Sequence, residues 1–145
     1  MTHWRENLID DASRIGDILA GAKRIAILGI KPETRAEKPA HYVPRYLQQQ
    51  GYTIVPVPVY YPECTEILGE PCYRRLADIP GDVDLVVVFR RAEDIPPHVD
   101  DILAKRPRAV WFQSGIRNDA AAATLAQAGI LVVQDRCTMV EHRRR

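Results

Sequence analysis

Five short apolar runs recur along the chain, and each is continuous rather than alternating. They are Arg24-Ile-Ala-Ile-Leu-Gly-Ile30, Thr53-Ile-Val-Pro-Val57, Asp84-Leu-Val-Val-Val-Phe89, Ala109-Val-Trp-Phe112 and Ile130-Leu-Val-Val133. A strand that is apolar on both faces is buried on both faces, which is the mark of a parallel sheet covered by helices. Helical patterns separate most of the runs: Tyr42 to Gln50, Pro97 to Lys105 with a proline in its first turn, and the alanine-rich Asn118 to Ala128. Gly51 and Gly129 each precede a strand, where a left-handed residue ends the helix. The reading is a doubly wound α/β sheet, Rossmann-like, mainly parallel, with five strands in the order 3-2-1-4-5. That order puts the switch point between strands one and four.

Two segments fall outside the alternation. Trp4, Leu8, Ile9, Ala12, Ile15, Ile18 and Leu19 share one stripe at helical spacing, so an amphipathic helix is expected over residues 1–21, ending near Gly21. Residues 58–83 hold four prolines and two glycines, which disfavours a long helix. An irregular excursion is expected there, with a short turn near Tyr73 to Ala77 and a possible hairpin between Cys64 and Cys72. The closing Glu141-His-Arg-Arg-Arg145 reads as a solvated, frayed tip. One domain over residues 1–145 accounts for the whole pattern.

Charge and cysteine content narrow the function. A net charge of +1 lacks the electrostatic footprint of a general nucleic-acid binder. Three scattered cysteines support neither a disulfide framework nor a zinc site. No apolar run approaches a membrane span, and the opening Met-Thr-His-Trp-Arg-Glu-Asn has no secretory pattern, so a reduced cytoplasmic setting is expected.

Ligands of open α/β sheets bind outside the carboxyl ends of the strands. This chain places cations there: Lys31, Arg35, Lys38, Arg90, Arg91, Arg117 and Arg136 outnumber Glu33, Glu37, Asp119 and Asp135. Each alone could be a solvated surface charge. Together they point to an anionic, phosphorylated ligand. A nicotinamide dinucleotide is a weak fit, because the first turn reads Gly29-Ile-Lys-Pro-Glu-Thr34 rather than GxGxxG, and strand two ends in Val57-Pro58 without an acid. No P-loop signature occurs. A longer loop with Lys31, Pro32, Arg35 and Lys38 suits coenzyme A, whose ADP half carries an extra 3′-phosphate.

Four stretches carry a family resemblance. They are Arg24-Ile-Ala-Ile-Leu-Gly29, Leu68-Gly-Glu-Pro-Cys-Tyr-Arg-Arg-Leu-Ala-Asp-Ile-Pro80, Val86-Val-Val-Phe-Arg-Arg91 and Ala109-Val-Trp-Phe-Gln-Ser-Gly115. The ending Asp135-Arg-Cys-Thr-Met-Val-Glu-His142 adds a fifth. Over residues 20–143 the chain resembles the small stand-alone CoA-binding proteins, whose fold matches the CoA-binding domain of the succinyl-CoA synthetase α subunit. The resemblance implies a Rossmann-like module for coenzyme A or an acyl-CoA, with no established reaction. By position it implies a site on Gly29, Lys31, Val57, Pro58, Phe89, Arg90, Arg91 and Gln113, to which the placement of the first loop at the strand ends adds Ile30, Pro32 and Lys38. Two positions depart from the family pattern: Lys31 stands where a small or hydroxyl residue is usual, and Pro56-Val57-Pro58 replaces Val-Asn-Pro.

Other groups have two readings each. Cys137, beside Arg136, is either a reactive thiol or a packed residue of the last turn. With His142 it is the one nucleophile and base available to an acyl-CoA-dependent hydrolase, the enzymatic alternative. Asp135, Glu141 and His142 are either acid/base groups or members of an ion pair at the chain end. His41 either donates to a phosphate or caps its helix. Trp4 is expected to staple the first helix to the sheet, and Trp111 and Phe112 to lie in the core.

Overall fold

The computed structural model describes residues 3–145, so the first two residues of the expected amino-terminal helix lie outside the described residues. Five parallel strands form the main sheet: β1 (Arg24–Leu28), β2 (Thr53–Val57), β5 (Leu85–Val88), β6 (Ala109–Phe112) and β7 (Leu131–Val133). Between β2 and β5 lies a small hairpin, β3 (Glu66–Ile67) and β4 (Glu70–Pro71). Five α-helices flank them: α1 (Ala12–Gly21), α2 (Pro39–Gln49), α3 (Val99–Lys105), α4 (Asp119–Gln127) and α5 (Thr138–Arg143).

The fold class is as expected, but the strand order is not. The sheet runs β2-β1-β5-β6-β7, so the third main strand sits beside the first and not at the edge. In order of sequence this is 2-1-3-4-5, with its switch point between β1 and β5. Pro56 supplies a reason. It occupies the middle of β2 and has no N–H to donate, so β2 pairs on one side only and must be an edge strand. The all-apolar Leu85–Val88, buried along its length, takes the centre.

Alternate residues divide between two cores. Ala26, Val55, Val86, Val110 and Val132 face α3 and α4, which contribute Ile102, Ala122 and Leu125. Ile25, Ile54, Leu85, Trp111 and Val133 face α1 and α2, which contribute Ile15, Leu19, Val43 and Leu47. Trp111 and Phe112 are both fully buried, one on each face, and Trp111 donates its indole N–H to the Arg136 carbonyl at 2.7 Å.

The amino-terminal segment is not one helix. Trp4–Asn7 forms a single 3₁₀ turn, and Leu8 then bridges Val132 in parallel, with the Ile9 N–H donating to the Val132 carbonyl at 2.8 Å. The chain shields the outer edge of β7 before α1 begins, capped by the Asp11 side chain. Trp4 packs on the α3/α4 face from this turn and not from α1. Helix α1 ends at Gly21 with no left-handed residue, because Ala22 is extended. Gly51 and Gly129 do take positive φ, as expected.

The excursion over 58–83 is irregular, and its 3₁₀ turn at Leu76–Asp78 overlaps the end of the turn expected near Tyr73 to Ala77. Its hairpin turns through Leu68 and Gly69, both at positive φ. The tip is tied down: the Leu68 N–H donates to the Glu33 carboxylate at 2.8 Å, and the Gln48 amide donates to the Leu68 carbonyl at 2.9 Å. The carboxyl end is helical through Arg143, not frayed, because Glu141 turns inward and is buried.

Candidate functional site

Gly29 follows β1 at the switch point with φ +90°. A Cβ there would stand 2.4 Å from the Phe89 carbonyl oxygen, so only glycine lets the backbones after β1 and β5 approach this closely. The ladder continues past the strand ends: Gly29 N–H donates to the Val57 carbonyl, Phe89 N–H to Leu28 and Gln113 N–H to Val88. Three loops are thereby held side by side.

Two cavities open where the loop after β1 meets the loop after β5. The larger is about 770 Å³ and the smaller about 240 Å³. Lys31, Phe89, Arg90 and Arg91 line both and form the ridge between them. Lys38 and Gln113 line only the larger; Gly29 and Ile30 line only the smaller. Pro32, Val57 and Pro58 were expected at the site but are buried and line neither of these cavities. The Val57 carbonyl is occupied by Gly29, and the side chains after it, Val59 and Tyr60, form the wall instead.

Arg90 and Arg91 differ sharply. The Arg90 side chain is 14% exposed, its nearest carboxylate oxygen is that of Asp94 at 3.8 Å, and its buried Nε makes no hydrogen bond. The Tyr60 ring lies over its guanidinium at 5.3 Å. Arg91 is 76% exposed and points its Nε at Asp94 (3.0 Å) and Glu93 (3.4 Å). The hydrogen bond to Asp94 and the two carboxylate charges raise the Arg91 pKa further, so its charge is already answered.

The other rim cations divide the same way. Arg117 pairs with Asp119 at 3.1 Å, and Arg136 pairs with Asp10 at 2.8 Å and Glu141 at 3.7 Å. The Arg136 hydrogen bond holds the Asp10 carboxyl below its usual range. Among the described residues, Lys31, Arg35 and Lys38 form no ion pair. Glu33, nominally their neighbour, is occupied by the hairpin tip. Positive charge without a carboxylate partner therefore collects in the loop after β1, beside Arg90, whose carboxylate partner is Asp94 at 3.8 Å.

The expected backbone and side-chain donors are partly taken. Gln113 is buried, and its amide is turned to α5: Oε1 accepts from the Thr138 N–H at 2.8 Å, and Nε2 donates to Thr138 Oγ1 at 3.2 Å. It positions α5 rather than facing the cavity mouth. His41 is likewise buried, and its Nδ1 donates to the Lys31 carbonyl at 2.8 Å, so it holds the loop carrying Lys31 instead of reaching a phosphate.

Cys137 and His142 do not form a dyad. Cys137 is the residue before α5 and lines the large cavity. His142 lies five positions on, about 140° around the helix axis, and its Nδ1 is hydrogen-bonded to Tyr46 Oη at 2.7 Å between the rings of Tyr46 and Tyr52. Burial, helped by Arg145, lowers its pKa. Glu141 closes ion pairs with Arg136 and Arg144, and Asp135 accepts from the Gly115 N–H at 2.7 Å. These are structural contacts. Among the described residues no three His, Cys, Asp or Glu side chains gather as a metal site, and no helix is long and apolar enough to cross a membrane.

Tyr60 is legible as a residue just beyond strand two, but three features are not: its partner Tyr61 with Arg74, a set of apolar residues, and Met139 with Val140. Tyr60 and Tyr61 wall the small cavity, and Arg74 fixes them by donating to the carbonyls of Tyr60 (3.4 Å), Tyr61 (3.1 Å), Pro62 (3.3 Å) and Cys64. Ala40, Val43 and Ile116 join the large cavity. So do Met139 and Val140, which stand inside the closing motif and carry no charge, the one signal that could have marked them.

Comparison with known proteins gives a consistent picture. Residues 23–143 match the family described as CoA binding domain. The uncharacterized protein YneT of Bacillus subtilis is 35% identical over 130 residues, which is 90% of this chain and 93% of that one. A solved structure from Thermus thermophilus, cell-free ID.343, is 42% identical and superposes with a TM-score of 0.85, covering 93% of this chain and 98% of that one. The dinucleotide-forming acetyl-coenzyme A synthetase 1 of Ca. Korarchaeum cryptofilum superposes with a TM-score of 0.64 over 86% of this chain and 27% of that one. At 19% identity the likeness is one of fold.

Proposed function

The chain belongs to the CoA-binding domain family, and from that premise we propose that it binds coenzyme A across the carboxyl ends of β1, β5 and β6. Arg90 carries the reading. A guanidinium that is mostly buried, with an Nε donor lacking any acceptor, is costly unless an anion completes it. Lys31 and Lys38 stand on the same cavity with no carboxylate partner, so the phosphates of the ligand meet charge that the protein has not itself neutralised. Gly29 serves by closing β1 against β5, which sets Lys31 and Arg90 on one ridge. The extra 3′-phosphate of coenzyme A, absent from NAD and ATP, matches this concentration of cations.

No reaction is assigned, since His142 is engaged by Tyr46 and not by Cys137. Three free cysteines suit a reducing compartment, and the cytoplasm is the proposed location. A thermal-shift panel tests the reading. Coenzyme A is expected to raise the melting temperature more than dephospho-CoA, NAD or ATP at equal concentration. Equal shifts from all four, or none, would overturn it.

A further inference from the structure

The large cavity segregates its charge. Its charged lining residues, Lys31, Lys38, Arg90, Arg91 and Glu93, all come from the segments after β1 and β5. The opposite wall comes from the loop after β6 and from α5, and it has no charged side chain. Helix α5 is not short of charge. Glu141 turns to Arg136 and Arg144, and Arg143 lies over the Tyr46 ring at 5.0 Å. The cavity meets Cys137, just before the helix, and Met139 and Val140 on it, while Cys137 and Val140 also border a neighbouring cavity with Arg136, Glu141 and Arg144. Val140 is 38% exposed, at the open side of the cavity. Ile116 extends this wall, and Ala40 and Val43 of α2 add apolar surface beside Lys38.

We propose that this wall receives the acyl group of an acyl-CoA, so that the protein selects short aliphatic thioesters over free coenzyme A. The inference rests on the coenzyme A reading above and deepens it. With phosphates held at Lys31, Lys38 and Arg90, the pantetheine end has the rest of the cavity to cross, and the far side is apolar. The thioether of Met139 can adapt to acyl groups of differing shape. Helix α5 is fixed for this purpose at both ends: the Gln113 amide binds Thr138 at its start, and Tyr46 Oη binds His142 near its close. Because Tyr46 belongs to α2, the cationic and apolar walls are joined directly.

Calorimetry on the full chain with coenzyme A, acetyl-CoA, butyryl-CoA and hexanoyl-CoA is the test. Each methylene buried strengthens binding about fourfold (~0.8 kcal/mol), so butyryl-CoA, with two more, should exceed acetyl-CoA by roughly fifteenfold. Val140→Asp, at an exposed position, should compress the ratio between butyryl-CoA and coenzyme A towards one. Coenzyme A binding with no gain along the series overturns the acyl proposal and leaves the parent reading intact. A gain along the series that Val140→Asp leaves at full size also overturns it, since the acyl group would then lie elsewhere. No binding by any member removes both.

Discussion

The two halves of the strand-end rim use their cations differently. After β6 and β7, Arg117 and Arg136 are answered by Asp119, Asp10 and Glu141. After β1 and β5, Lys31 and Lys38 have no ion-pair partner, and Arg90 has only a carboxylate oxygen at 3.8 Å. A count of rim cations already leans to the first half, Lys31, Arg35, Lys38, Arg90 and Arg91 against two, but it assigns no role to any of them. Only the pairing separates charge that holds the fold together from charge left for a ligand.

The change with the largest expected effect removes the hinge on which the ligand half depends. Gly29→Ala combines a left-handed φ with a Cβ driven against the Phe89 carbonyl, and a backbone atom cannot swing away as a side chain can. A loss of about 3 kcal/mol or more is expected, seen as a lower midpoint in denaturant melts. Coenzyme A binding should disappear with it. A variant of near wild-type stability would mean that the close approach of β1 and β5 is not required.

Next comes the direct contrast between halves. Arg90→Ala should weaken coenzyme A binding by about 1.5–3 kcal/mol, the worth of a charge-assisted hydrogen bond, with little loss of stability. Arg136→Ala should do the reverse. It removes one of two partners of the buried Glu141 carboxylate, costing about 1 kcal/mol of stability, while affinity stays level. Calorimetry and denaturant melts on both variants check the pair. Equal affinity losses would erase the distinction. Arg91→Ala sharpens it within one loop. This exposed side chain is neutralised by Asp94 and Glu93, so its loss should weaken affinity far less than Arg90→Ala does, and adding it to Arg90→Ala should change little further.

Strands and crossover helices were legible because local apolar runs and their punctuation encode them. Order was less so, since pairing is non-local, yet Pro56 carried the information: a mid-strand proline belongs at an edge. The amino-terminal stripe misled because Trp4, Leu8 and Ile9 fit a helix and also fit a turn leading into a bridge on Val132. The run of arginines at the end suggested solvent, and hid an α5 whose other face lines a cavity. Gly29 and Arg90 could be found from position alone. That Gln113 turns to Thr138, His41 to Lys31 and Arg91 to Asp94 depends on partners far away or on rotamers, which spacing does not convey.

The subtlest expected effect compares two histidines, one in each half. His98 is held below the usual imidazole value first by burial and then by the nearby Arg90 charge; His142 is lowered by burial and then by Arg145. Both are depressed, so both favour the unfolded chain once it protonates. The stability they contribute is complete above the ordinary value of about 6.5 and declines as pH falls through it towards their folded values. Their response to ligand should differ. An anion bound at Arg90 offsets the positive charge that depresses His98, so its pKa should rise towards normal, and Arg90→Ala should raise it as well. His142 faces Tyr46 and Tyr52 beneath α5 and should not respond to either change. Imidazole titrations by NMR, with and without coenzyme A, report both sites in one sample. A rise at His142 with none at His98 would put the bound charge on the wrong half of the rim.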